Sequence, residues 1–276
     1  VIYARSISSM TIDHNRISNA GLLTGGGHAA VALLGAVNAT FKFNDVHSTG
    51  TGLTSDYLLR LDAGSTGGQV KNNIFFSSMV VAGSSAALSV SANSQSGFVS
   101  DYNDYFSSSP AHSVSWGAAS YPLLSAWQAA TGQDLHSISA APLWRDPSSG
   151  FADFHPRSRQ GRYEPTTGAF PADSLSSLTI DAADPAEGFS LEPAPNGARA
   201  DQGSYGNTVK AALSPVELLP SGCQNGFLVQ KDGSQNFPSI QAAVNSLPRS
   251  LSSDVCLTLR DAAYGEQVTL EGILNN

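Results

Sequence analysis

An Asn-x-apolar step that recurs four times at nearly constant spacing restricts this chain to a small set of folds. The copies read Ile12-Asp-His-Asn15-Arg-Ile17, Phe41-Lys-Phe-Asn44-Asp-Val46, Val70-Lys-Asn-Asn73-Ile-Phe75 and Val99-Ser-Asp-Tyr-Asn103-Asp-Tyr105. Asn15, Asn44, Asn73 and Asn103 are separated by 29, 29 and 30 residues. A period of this length marks stacked supersecondary units, each burying its apolar face against its neighbours. The units alternate apolar and polar residues between Gly/Ser/Asn-rich turns, as short strands do. Further strands are expected at 30–34, 57–61 and 87–91, with Gly-rich corners at 19–27 and 48–52. Two or three short strands per coil predict an all-β, right-handed parallel β-helix over residues 1–108.

Stacked strands lie about 4.8 Å apart, so equivalent residues of successive coils form columns. Asn suits a repeated corner because it tolerates the left-handed backbone of a tight turn. Its carboxamide also hydrogen-bonds along an in-register stack. The asparagines are therefore read as a structural ladder. Two positions before them runs a charged column, Asp13, Lys42, Lys71 and Asp101. Basic residues one rung apart are what polysaccharide lyases use to neutralise a uronate and abstract a proton. These four residues, with Arg60, are the candidates for such chemistry. The simpler reading is a surface row whose exposed pairs are worth under about 1 kcal/mol each.

Acidic residues outnumber basic ones, 22 to 14, for a net charge of −8. That balance argues against nucleic acid, which demands a basic footprint. No apolar run is long enough to span a bilayer. The chain opens on Val1-Ile-Tyr and stops just after a strand-like Gln267-Val-Thr-Leu-Glu271, so both ends look cut from a longer polypeptide. Six scattered histidines form no H-x-H or H-E-x-x-H cluster. Cys223 and Cys256 lack metal-site or redox spacing; a disulfide and two buried thiols both remain open.

Residues 109–215 abandon the repeat. The stretch 122–131 has helical apolar spacing with Leu123, Leu124 and Trp127 on one face, and Gly132 supplies the stop. Loop-rich sequence follows, including Ile180-Asp-Ala-Ala-Asp-Pro185, Glu192-Pro-Ala-Pro-Asn-Gly-Ala-Arg199 and Gly203-Ser-Tyr-Gly-Asn-Thr208. Together with 102–106 and the Trp127 helix, these motifs resemble the closing segment of bacterial right-handed parallel β-helix repeat proteins, which are large and secreted or surface-anchored. The family pattern has Gly where this chain has Ala183 and Ala198, and Ala where it has Ser204. Asp181, Asp184 and Glu192 are candidate oxygen ligands for Ca²⁺, against local turn and ion-pair roles; no other cofactor is expected.

Residues 222–276 begin a new unit. A strand and turn from Gly226 lead to an amphipathic helix at 238–248, with Pro238 at its first position and Ile240, Val244 and Leu247 on one stripe. Strands are expected at 255–260 and 266–270. Asp232-Gly-Ser, Ile240-Gln-Ala-Ala-Val244 and Tyr264-Gly-Glu-Gln-Val-Thr269 make this unit similar to the N-terminal cap and first coil of pectin methylesterases. The catalytic residues of that family lie in later coils, so none is carried over here.

The reading that follows is a non-catalytic structural or adhesive segment of a large extracellular or cell-surface protein, joined to further β-helix modules and open to polysaccharide contact. The alternative is a lyase or carbohydrate esterase acting along the solenoid face. A carbohydrate-binding module would need an exposed aromatic row, for which Phe75, Phe76, Tyr102, Tyr105 and Phe106 are available.

Overall fold

The computed structural model describes residues 2–18, 29–48, 57–77, 86–107, 114–147, 152–215, 225–229, 231, 236–251, 255–259, 263–271 and 273–275. The first coil is β1 (Ile2–Arg5), β2 (Thr11–Asp13) and β3 (Arg16–Ile17). The second is β4 (Ala29–Leu34), β5 (Thr40–Lys42) and β6 (Asp45–Ser48), and the third is β7 (Tyr57–Asp62), β8 (Gln69–Lys71) and β9 (Ile74–Ser77). The fourth is β10 (Ala86–Val90), β11 (Val99–Asp101) and β12 (Asp104–Ser107). Equivalent strands pair in parallel, forming three sheets that run the length of the stack. The chain is a parallel β-solenoid.

Period-two alternation puts one residue set of every strand inside. Val31, Leu59, Leu88 and Val114 make a fully buried column in the first sheet. In the third sheet Ile17, Val46, Phe75 and Tyr105 are in register, and the Phe75 and Tyr105 rings stack at 5.2 Å. The Gly-rich corners at 19–27 and 49–52 lie outside the described residues.

The solenoid runs past residue 108. β13 (Val114–Trp116) adds a parallel strand beside β10, and β14 (Ala119–Tyr121) turns back antiparallel on it. The helix α1 (Leu124–Thr131) ends at Gly132, whose φ of 70° is the left-handed cap. Trp127 is fully buried against Trp116 and Tyr121. Leu123 is not on that face. It sits at the extended N-cap position and is 64% exposed. Ile138 then bridges in parallel to Asp104, so 134–140 serves as part of a fifth coil.

Beyond it the chain doubles back along the flank of the stack. The antiparallel pair β15 (Trp144–Asp146) and β16 (Asp153–Pro156) lays Trp144 and Phe154 over His47 of the third sheet, with ring centroids 5.7 and 6.3 Å away. The loops that follow cover the corner between the second and third sheets. Phe43 packs there with Ala183 and Ala200.

The last unit contains β17 (Asn225–Val229), α2 (Ile240–Asn245), β18 (Ser250–Leu251), β19 (Val255–Leu259) and β20 (Leu274–Asn275). β17 pairs in parallel with β19, and β18 with β20. Ser239 caps α2 by accepting the Ala242 N–H, which leaves Pro238 just before the cap rather than inside the first turn. Residues 266–270 are not a strand; the Glu266 carboxylate instead accepts the N–H groups of Ile240 and Gln241. The unit docks on the closing segment through Asn236 Nδ2 to Ser176 O (3.1 Å) and Ser250 N to Leu135 O (3.1 Å). No helix among the described residues is long and apolar enough to cross a membrane.

Candidate functional site

The four asparagines line one corner and repeat the same bonding. Each carboxamide oxygen of Asn44, Asn73 and Asn103 accepts both the backbone N–H and the Nδ2–H of the Asn one coil earlier, all at 3.0 Å. Each Nδ2 also donates to carbonyls: that of Asn73 reaches Phe41 O at 2.9 Å and Lys71 O at 2.8 Å. Asn44, Asn73 and Asn103 are completely buried, so water reaches none of these groups. The left-handed residue is not the Asn. It is the one before it: His14, Phe43, Asn72 and Tyr102 have φ between 52° and 58°. The Asn side chain needs its own backbone extended into the next strand to reach the neighbouring rung, and the turn moves back one position.

The ladder ends in a different chemistry. Asn103 donates to Asp134 Oδ1 (3.1 Å) and takes its backbone acceptor from Ser137 Oγ (2.8 Å). Asp134 also accepts the Trp127 indole N–H at 2.9 Å, and burial raises its pKa. A second ladder at another corner has no Asn: Ala36 N donates to Ser65 Oγ and Ser65 N to Ser94 Oγ, both at 3.0 Å. Its only sequence signal is the 29-residue spacing from 36 to 65 to 94.

The charged column is in register, Asp13 beside Lys42, Lys42 beside Lys71, Lys71 beside Asp101. The closing segment covers its centre. Lys42 Nζ lies 3.1 Å from Glu187, and Lys71 Nζ lies 2.8 Å from Asp184. Asp184 stays below the usual carboxylate range despite partial desolvation, because Lys71 and the Ala186 N–H hold the anion. At the ends Asp13 faces His14 at 3.5 Å and Asp101 pairs with His136 at 2.7 Å. Arg60 pairs with Asp62 on its own strand. The lysines thus fasten the flap of chain that crosses them.

That flap is seated by unusually close backbone contact. Gly203 donates to Asn72 O, and its φ is +82°. A Cβ there would stand 2.4 Å from Asp45 Oδ1 and 2.7 Å from Ile74 Cδ1. Ser204 donates to Asp45 through both its N–H and its hydroxyl. Burial still pushes Asp45 up to about 7 against those bonds and the nearby Arg16. Burial lowers His47, under Trp144 and Phe154, to about 4.

Among the calcium candidates, Asp184 is taken by Lys71. Asp181 and Glu192 meet Asp201 instead, one carboxylate oxygen of each within 4.8 Å of the others. A cavity of about 200 Å³ opens beside Asp181, between the closing segment and the last unit, lined also by Tyr102, His136, Arg199, Phe227 and Leu251. His155 also pairs with Asp153 (2.5 Å), but it is buried and stacked under Tyr205 at 3.7 Å. Of the five aromatics, Phe75 and Tyr105 are core, Phe76 lies under Trp144 with Phe106 packed against it at 5.1 Å, and Tyr102 stacks on His136. Cys256 is disulfide-bonded; Cys223 lies outside the described residues.

No protein-family model, curated protein or solved structure matches the chain.

Proposed function

We propose that this chain is a non-catalytic structural segment of a large secreted or cell-surface polypeptide of the bacterial β-helix type. It would close one solenoid and begin a pectin-methylesterase-like cap of the next, acting as a stiff spacer or adhesive module with glycan contact confined to its surface. The observation that carries this reading is the occupation of Lys42 and Lys71 by Glu187 and Asp184. A lyase base and its uronate-neutralising partner must face substrate, and these ammonium groups face the protein's own carboxylates. The disulfide at Cys256 supports an oxidising compartment. The test is incubation with pectin, polygalacturonate and alginate, following unsaturated product by ultraviolet absorbance and released methanol. Neither is expected. Product formed by the wild type and lost in Lys71→Met would overturn the reading.

A further inference from the structure

Three carboxylates come together where the closing segment folds on itself, and the ion pairs described above use none of them. Asp201 is completely buried, Glu192 is 5% exposed, and Asp181 borders the cavity. Local hydrogen bonds fix all three. Glu192 Oε1 accepts the N–H groups of Asp201 (2.9 Å) and Asn207 (2.6 Å). Asp201 accepts from Asp181 N (3.0 Å) and Ala212 N (3.1 Å), and Asp181 Oδ1 accepts from Ser214 Oγ at 2.8 Å.

The second oxygen of Glu192, Oε2, is buried with no partner. An orphaned carboxylate oxygen is among the most expensive groups to bury. The nearby charges make this worse, since those acting on Glu192 and Asp201 are the other carboxylates of the trio. Arg199 offsets only Asp181. Like charges this close need either shared protons or a cation between them.

We propose that Asp181, Glu192 and Asp201 form a divalent-cation site, with Ca²⁺ the ion that fits it best. All the donors are hard carboxylate oxygens, which favour Ca²⁺ or Mg²⁺ over the softer transition metals. Carboxylate oxygens that accept one N–H or O–H keep lone pairs for a metal. The cavity reaches the trio at Asp181 alone, which is the side from which an ion would enter. Ca²⁺ tolerates such an irregular, partly aqueous shell, whereas Mg²⁺ demands a near-octahedral one.

The experiment uses the full chain at about pH 8, above the values to which burial raises Asp181 and Glu192, with calorimetric titration and thermal unfolding in Ca²⁺ and in Mg²⁺. Wild type and Asp184→Asn should bind Ca²⁺ and unfold at higher temperature in its presence. Glu192→Gln and Asp201→Asn should show at least a tenfold weaker affinity and little calcium-dependent shift. If a variant fails to fold, the wild-type and Asp184→Asn titrations still decide the matter. Absence of heat and of any shift in the wild type would overturn the site. So would undiminished binding by Asp201→Asn or Glu192→Gln, or loss of binding in Asp184→Asn.

Discussion

The Asn corner and the closing flap solve the same problem, burial of polar backbone, with opposite chemistry. At the corner each rung supplies what the next requires, an amide donor for an amide acceptor, and no charge is involved. At the flap the chain meets the coils once, without a repeat to match it, and carboxylates accept the leftover N–H groups: Asp45 from Ser204, Asp201 from Asp181 and Ala212, Glu192 from Asp201 and Asn207. Burial raises the pKa of all three. Asp134 marks the boundary, a carboxylate placed where the Asn ladder stops. Translational repetition allows a neutral solution. A singular contact here uses an ionisable one, and so becomes sensitive to pH.

The largest expected effect breaks the corner. Asn73→Ala strands the Asn44 backbone N–H in a dry interior and takes the Nδ2 donor away from Phe41 O and Lys71 O, at about 1–3 kcal/mol for each buried group left unsatisfied. Urea denaturation should show a loss of about 3 kcal/mol or more, with Asn15→Ala at the half-open end losing about 1 kcal/mol. Equal losses at the two positions would mean that ladder position does not matter. Next comes the flap: Gly203→Ala drives a methyl into Asp45 and Ile74 at a left-handed residue, expected to destabilise by about 2 kcal/mol. The smallest effect has the opposite sign. Ala198 stands at φ 57°, so Ala198→Gly should stabilise by about 1 kcal/mol. A loss on that substitution would show that the strain is not there.

Legibility followed the same divide. β4, β7 and β10 stand within a residue or so of their sequence-based positions, because every coil repeats the same apolar alternation. Periodicity did not reveal which corner residue turns left-handed, since the Asn and its predecessor recur with equal regularity. The Ser65 ladder shares the period but has only one hydroxyl per rung and an Ala at its start. Contacts of the flap left no sequence trace at all. Lys71 meets Asp184 across 113 residues and His14 meets Gly206 across 192, distances over which no local pattern operates. The acidic trio contains Asp201 rather than the expected Asp184 because distant Lys71 takes Asp184.

Native-state amide exchange at about pH 5 and about pH 8 without divalent cations, corrected for intrinsic rates, tests the contrast most directly. Asp45 and Glu192 (about 7) and Asp181 (about 6) have folded pKa values raised above their unfolded ones. Their protonated forms therefore stabilise the fold fully below the unfolded values, and that stability is lost as pH rises through 6–7. His47, lowered to about 4, acts in the opposite sense and is outnumbered. Protection at Asp201, Gly203, Ser204 and Asn207 should fall at the higher pH while Asn44 and Asn73 stay unchanged. Equal change in both regions, or loss at the asparagines first, would contradict the account.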